Sequence, residues 1–329
     1  MSEIKILSET DLRAAVSLNK DAVACIENAF HLLATKDVVM PPILSFDVPD
    51  HNGEVDVKTA YVPGIESFAL KVSLGFFDNP MMGLPSLNGL MTLFDAKTGI
   101  VKALLLDNGY LTDIRTAAAG AVAAKHLSRE NSKTAGILGS GMQARLQLEA
   151  LSLVRDIKTA VIWGRDEKKL AECASDCTSR LGIEVKTGSI TDVMAQADIV
   201  VTTTPSRKPL ITADMIRPGQ HITAMGSDTP FKAELAPCVI PAATLFVCDR
   251  LSQSIKLGEL RSAIEAGTVT NTDSFAELGP VIAGQKQGRR SADDITVCDL
   301  TGTGVQDTAI ATFAEAQSLA AKAGSTIQS

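Results

Sequence analysis

Apolar residues recur at helical spacing through residues 10–36, where Leu12, Val16, Ala22, Val23, Ile26 and Phe30 form one stripe, and this spacing predicts helices. The period then shortens. Val55 and Val57, the run Ala69 to Val72 and the run Gly89 to Phe94 read as strands. Asp95-Ala96-Lys97-Thr98-Gly99 is a turn cluster followed by the apolar run Ile100 to Leu106, so these last two strands are expected to form a hairpin. From Thr112 the alanine-rich stretch Ala117 to Ala124 returns to helix and is expected to lead into a second lobe.

Beyond it, strand and helix alternate. Apolar runs at 134–138, 159–163, 184–185, 197–202, 220–225, 244–248 and 295–300 are separated by helix-forming segments, the pattern of a parallel sheet covered on both faces. A last helix, from about Asp307 to Ala323, lies beyond that sheet and is expected to fold back onto the first lobe. The expected fold is therefore α/β. Residues 1–127 and 305–329 would form a discontinuous α+β substrate-binding and dimerisation domain, and residues 128–304 a Rossmann-type, doubly wound nucleotide-binding domain.

Composition narrows the class. With 329 residues, 45% apolar and 21% charged, the chain has the balance of a globular protein of more than one lobe. A net charge of −7 argues against general nucleic-acid affinity. No apolar run approaches the roughly 20 residues that span a bilayer. The start Met1-Ser2-Glu3-Ile4-Lys5 lacks the basic and apolar regions of a signal peptide, so a cytoplasmic location and no membrane partner are expected. The six cysteines and four histidines are scattered. Cys173 and Cys177 share a helix face without a nearby histidine, and no metal is expected.

The chemistry begins at residues 135–145. There the apolar strand Ala135 to Leu138 runs into Gly139-Ser140-Gly141-Met142-Gln143-Ala144 and then into a helix. Gly139 permits the tight turn, Gly141 lets the backbone approach a pyrophosphate, and Ala144 lets the helix pack closely on the sheet, while free N–H groups at the helix start face the phosphates. A second strand, Ala160 to Trp163, follows at βαβ spacing and strengthens this otherwise weak pattern. The second strand ends at Gly164-Arg165-Asp166, without an acid where a ribose ligand is most expected. Arg165 would either meet a 2′-phosphate, as in NADP, or stack on adenine and leave Asp166 to the ribose. Thr203 and Thr204, after the fourth strand, would line the nicotinamide side of the crevice.

Elsewhere, single residues stand out against their surroundings. Arg115 opens a helix after a strand, and its planar fork suits a carboxylate or a phosphate; the plainer reading is a salt bridge. Lys71 lies inside an apolar strand, where an ammonium is costly unless it faces a cleft or an anion, or snorkels to water. Asp228 follows the strand Ile222 to Met225 and a Gly-Ser turn, at the carboxyl edge where open α/β sheets bind ligands; helix capping is the competing reading.

Taken in order, Met40-Pro41-Pro42, Leu70-Lys71-Val72, Leu84-Pro85-Ser86, Asp113 to Ala118, the glycine loop and Met225-Gly226-Ser227-Asp228 resemble the ornithine cyclodeaminase and mu-crystallin family over most of the chain. The resemblance implies an NAD(P)-dependent oxidoreductase that works as a homodimer through the strand-rich lobe. It implies that Arg115 holds a small anionic imino or amino acid near the nicotinamide, that Lys71 binds a substrate carboxylate and exchanges a proton, and that Asp228 serves as an acid, base or amine ligand. Ser86 stands where the family often has a small hydroxyl residue.

One departure matters. After Met40-Pro41-Pro42 many members carry an arginine that clamps the α-carboxylate, and here the residue is Ile43. The flanking stretches 51–61 and 288–294 instead resemble a bacterial subgroup that includes iminosuccinate reductase and an ectoine-utilisation protein. That resemblance implies NADH-dependent reduction of iminosuccinate to aspartate. It favours NAD, while the residues at 164–166 lean towards NADP. A dicarboxylate needs several cations: Arg115, Lys71 and a third from Lys58 or the Arg289-Arg290 pair. A cyclodeaminase, which returns its cofactor unchanged, and a mu-crystallin-like binding protein are the alternatives.

Overall fold

In the computed structural model, which describes residues 3–270 and 273–328, the short-period half of the chain and the alternating half build two separate sheets. Clustering of contacts divides the chain into a first unit of residues 1–17, 24–115 and 303–329 and a second of residues 18–23 and 116–302. The divisions fall at 115/116 and 302/303, not at the expected 127/128 and 304/305, because most of the helix Tyr110–Leu127 packs with the second unit.

The first unit is built on strands β1 (Glu3–Ser8), β2 (Leu44–Val48), β3 (Gly53–Ala60), β4 (Ser67–Phe76), β5 (Leu87–Asp95) and β6 (Val101–Leu106). Strands β2 to β6 run as an antiparallel meander, with the expected hairpin between β5 and β6, and β1 pairs in parallel with β6. Burial alternates along β4, so Ser67, Ala69 and Lys71 share its buried face. That face meets the C-terminal helix Gly304–Ala320: Thr308 Oγ1 accepts from Ala69 N at 3.1 Å and donates to Ala60 O at 2.8 Å. Gly304 makes the approach possible, because a Cβ there would lie 2.3 Å from Thr59 O.

The second unit holds an all-parallel sheet of β7 (Thr134–Leu138), β8 (Thr159–Trp163), β9 (Glu184–Thr187), β10 (Ile199–Thr202), β11 (His221–Ala224), β12 (Leu245–Cys248), β13 (Ala276–Glu277) and β14 (Thr296–Asp299). Their order is β9-β8-β7-β10-β11-β14-β12-β13, so the winding reverses between β7 and β10. This is a Rossmann-type sheet with its ligand crevice expected at that reversal. The runs are apolar throughout because both faces are buried: Ile137, Ile199 and Val201 pack into one core, and Leu138, Val200 and Ile222 into the other. Each such side chain contributes about 1.5–3 kcal/mol of burial.

Four strands were not expected, β2 and the two-residue β13 among them. β1 is a sheet strand despite its weak apolar signal, and the last strand, β15 (Ser325–Gln328), is exposed along its length and pairs antiparallel with β1. Among the described residues no helix is long and apolar enough to cross a membrane.

Candidate functional site

The first unit concentrates positive charge in its interior. Lys58 on β3 stands directly opposite Lys71 on β4, which places both side chains on the same face of the sheet. Arg115 reaches the same place from the helix Tyr110–Leu127, which begins earlier than expected because Asp107 Oδ2 accepts from Leu111 N at 2.9 Å; Arg115 therefore lies one turn into the helix rather than at its opening. All three cations are buried. Their common counter-charge is Asp307, whose Oδ1 lies 3.2 Å from Lys71 Nζ and 3.1 Å from Arg115 Nε.

Lys71 is not a snorkelling lysine. Its side chain is 3% exposed, and that of Asp307 is wholly buried. Burial lowers the Lys71 pKa to about 7; Asp307 pulls it back up, while Arg115 and Lys58 push it further down. Burial alone would raise the Asp307 pKa, but Lys71, Arg115 and Lys58 more than offset that, and the carboxyl stays ionised. Asp107 is a second buried carboxyl of this unit: burial raises its pKa to about 6, against the pull of backbone amides and of Lys71. Arg115 Nε meets Asp307 as an ion pair without an aligned hydrogen bond, whereas Lys71 both pairs with Asp307 and hydrogen-bonds to it, which raises the Lys71 pKa and lowers that of Asp307.

Other predicted substrate groups fall elsewhere. Ser86 is half-buried in the turn before β5, where its carbonyl accepts from Phe76 N at 2.7 Å. Arg289 is not a ligand cation: its guanidinium donates to the carbonyls of Leu127 at 2.7 Å and Asp294 at 2.6 Å and to Thr296 Oγ1 at 3.0 Å. Arg290 is mostly exposed beside Asp294. Of the options for a third cation, only Lys58 joins Lys71 and Arg115. Asp228 caps no helix. It lies in the loop after β11 with its side chain 47% exposed, and its Oδ1 accepts from Lys232 Nζ at 2.6 Å.

The nucleotide loop has the geometry its glycines predict. Gly139 adopts φ 134°, and a Cβ there would lie 2.3 Å from Thr203 Oγ1. Gly141 is the N-cap of the helix Met142–Val154, has no side-chain cap, and a Cβ on it would meet nothing within 4 Å. The helix start therefore has no side-chain cap, and its N-cap residue has open space around it, which fits a dinucleotide pyrophosphate. Ser140 is half-buried, Met142 is exposed, and Gln143 Oε1 accepts from Gln147 Nε2 at 3.2 Å. Arg145 braces the loop, donating to Ser140 O at 2.9 Å and Gly141 O at 3.2 Å while paired with Asp176.

At the end of β8, Gly164 packs on Ser140, whose Oγ would lie 2.7 Å from an added Cβ; a larger residue would collide with the loop. Arg165 is exposed. Asp166 is already the N-cap of the helix Glu167–Leu181, accepting from Lys169 N at 3.0 Å, so one of its oxygens is committed to structure. After β10, Thr203 N donates to Leu138 O at 2.8 Å, and Thr204 donates to Glu234 through both N (2.6 Å) and Oγ1 (2.7 Å).

Glu234, Asp307 and Arg145 escaped the sequence reading. The buried Glu234 carboxylate also accepts from Thr202 Oγ1 at 2.5 Å and Gly226 N at 2.7 Å, tying together the loops that follow β10 and β11. Its pKa is raised by burial, against the pull of these donors.

A Rossmann-type sheet with an uncapped glycine loop stands in one chain with a unit that buries Lys58, Lys71 and Arg115. The chain belongs to the ornithine cyclodeaminase/mu-crystallin family, whose model matches residues 3–322. A protein of Rhizobium meliloti, provisionally named as a dehydrogenase, is 58% identical over 332 residues that cover all of both chains. An archaeal alanine dehydrogenase, a dimer with bound NAD, superposes with a TM-score of 0.93 at 35% identity over 99% of each chain. The iminosuccinate reductase of Paracoccus denitrificans, in complex with NAD+, superposes with a TM-score of 0.92 at 28% identity over the whole of both chains.

Proposed function

We propose that this protein is an NADH-dependent imine reductase that converts iminosuccinate to aspartate and works as a cytoplasmic homodimer. The observation that carries this reading is the burial of Lys71 and Arg115 together on Asp307, with Lys58 opposite Lys71 on the same face of the sheet. Such a site favours a ligand with two negative charges over a zwitterion, whose ammonium the cations repel. The lack of an arginine at Ile43 supports reduction over cyclisation, and likeness to NAD-bound relatives supports NAD.

The roles divide between the units. Residues Gly139 to Gln143 would hold the pyrophosphate, Arg165 and Asp166 the adenosine end, and Thr203 and Thr204 the nicotinamide end. When bound, the nicotinamide supplies the hydride. Arg115 grips the substrate carboxylate, and Lys58 and Ser86 hold its other polar groups. Lys71, with its pKa near neutrality, gives a proton to the imine nitrogen as the carbon is reduced, and Asp228 holds the nascent amine. Orientation of the two reactants supplies much of the acceleration. The apolar side chains exposed around β2 and β5, Leu44, Phe46 and Leu87, suit a dimer contact.

The test is a steady-state comparison. Purified protein should oxidise NADH with oxaloacetate plus ammonia and release aspartate, faster than with pyruvate plus ammonia. Proline formed from ornithine without net change in the cofactor would overturn the reading.

A further inference from the structure

Gln306 sits one residue before Asp307 in the first turn of the C-terminal helix, and only one end of its amide is occupied. Oε1 accepts from Arg115 Nη1 at 2.9 Å and from Thr303 N at 3.4 Å. These two donors fix the orientation of the amide, since a flipped group would set N–H against N–H. Nε2 is then held with no hydrogen-bond partner, on a side chain with no exposed surface. A buried donor left unpaired costs about 1–3 kcal/mol, a cost that folding alone does not explain. The amide lies beside Arg115, in the first turn of a 17-residue helix, where the helix end is positive.

We propose that Gln306 is a substrate-binding residue: its Nε2 donates a hydrogen bond to the α-carboxylate that Arg115 holds. The proposal rests on the reading of the first unit as the substrate unit. A carboxylate has two oxygens, and a charged fork on one side with a neutral amide on the other satisfies both without adding a fourth cation. Gln306 thereby takes part of the work of the arginine that Ile43 replaces. It reads an acceptor oxygen, so an α-amide or an α-hydroxymethyl analogue, which presents hydrogens there, is rejected.

Gln306→Glu separates the two ends of the side chain. A carboxylate still accepts from Arg115 Nη1 and Thr303 N but offers no N–H. The NADH-loaded variant should bind oxaloacetate and pyruvate, titrated without ammonia so that no turnover occurs, about 30-fold more weakly than the parent. Its NADH affinity should stay within about threefold and its thermal midpoint should not fall. Gln306→Met, which removes both ends, should lose the same affinity and also some stability. Parental 2-oxoacid affinity in Gln306→Glu, with loss only in Gln306→Met, would show a mere brace for Arg115 and overturn the proposal. So would a loss confined to oxaloacetate, because the contact would then lie at the distal carboxylate. Parental protein that binds neither acid sinks it too. Parental protein that binds both acids in a Gln306-dependent way but reduces no imine upholds it while refuting the reductase reading.

Discussion

Each unit buries charge, and the two do it largely in different ways. In the first, Lys71 and Arg115 pair with Asp307 at 3.1–3.2 Å beside the buried Lys58, while Asp107 is held by the amide of Leu111. In the second, Glu234, Asp249, Glu259 and Asp299 are all buried, and their donors are backbone amides and hydroxyls: Thr204 and Gly226 for Glu234, Thr301 and Gly302 for Asp249, the amides of Glu234 and Leu235 for Glu259, and Ser254 with Leu260 for Asp299. Burial, followed by the neighbouring acid Asp299, raises the Glu259 pKa to about 8; burial, resisted by Ser254, raises Asp299 to about 7. Burial raises the pKa of each of these carboxyls, and their hydrogen bonds make them hubs for loops. In the first unit buried cations meet a buried carboxylate directly, in ion pairs. On the proposed function, that contrast separates buried charge that serves architecture from buried charge that serves a ligand.

The sharpest break of this contrast is Arg115→Ala. Removing one partner of a buried, ligand-facing pair should lower kcat/KM about a thousandfold, roughly 4 kcal/mol, with NADH affinity measured by fluorescence titration almost unchanged. Retained turnover would return Arg115 to the role of a structural salt bridge. Asp228→Asn asks whether an exposed acid of the second unit works where its buried ones do not; a fall of about a hundredfold in kcat with a smaller change in KM is expected.

The pH profile sharpens the account of Lys71. On the proposed mechanism Lys71 acts in its protonated form, so kcat/KM for reduction should fall as pH rises through about 7, approaching tenfold per unit, whereas amine oxidation should rise over the same range. Asp307→Asn, which removes the group that holds the proton on, should move that inflection to lower pH. An unmoved inflection would assign the titration to another residue. The smallest effect on chemistry is expected for Glu234→Gln. The amide cannot accept from all four donors, so the variant should lose about 2 kcal/mol in denaturant unfolding and bind NADH more weakly, with little change in the Lys71 inflection.

Local patterns were legible in the sequence and distant partnerships were not. The loop Gly139 to Ala144 announces itself because its turn, its close approach and its helix start lie within a few residues. Lys71 stands out as a charge in an apolar strand, but nothing near it names Asp307, which by itself reads as an acid in the first turn of a helix. Arg289 and Arg290 looked like anchors because charge is visible in a sequence and occupation by carbonyls is not. β15 was missed for a related reason: with every position exposed, it is held by its ladder to β1 and carries no apolar alternation. The helix N-cap role of Asp166 competes with the ribose role that its position suggests, and sequence cannot rank the two.

The seating of Gly304 on Thr59 has a consequence for synthesis. The strands that carry Lys58 and Lys71 leave the ribosome long before the helix that brings Asp307, as the 239 positions between Ala69 and its partner Thr308 measure. Until that helix docks, the growing chain holds a sheet whose Lys71 lacks its ion-pair partner Asp307, which favours its staying hydrated. The residues of the nucleotide loop and its sheet have all been made by then. Competence to hold a nucleotide should therefore precede competence to hold an acid, and the last turns of helix added to the chain convert the first into the second.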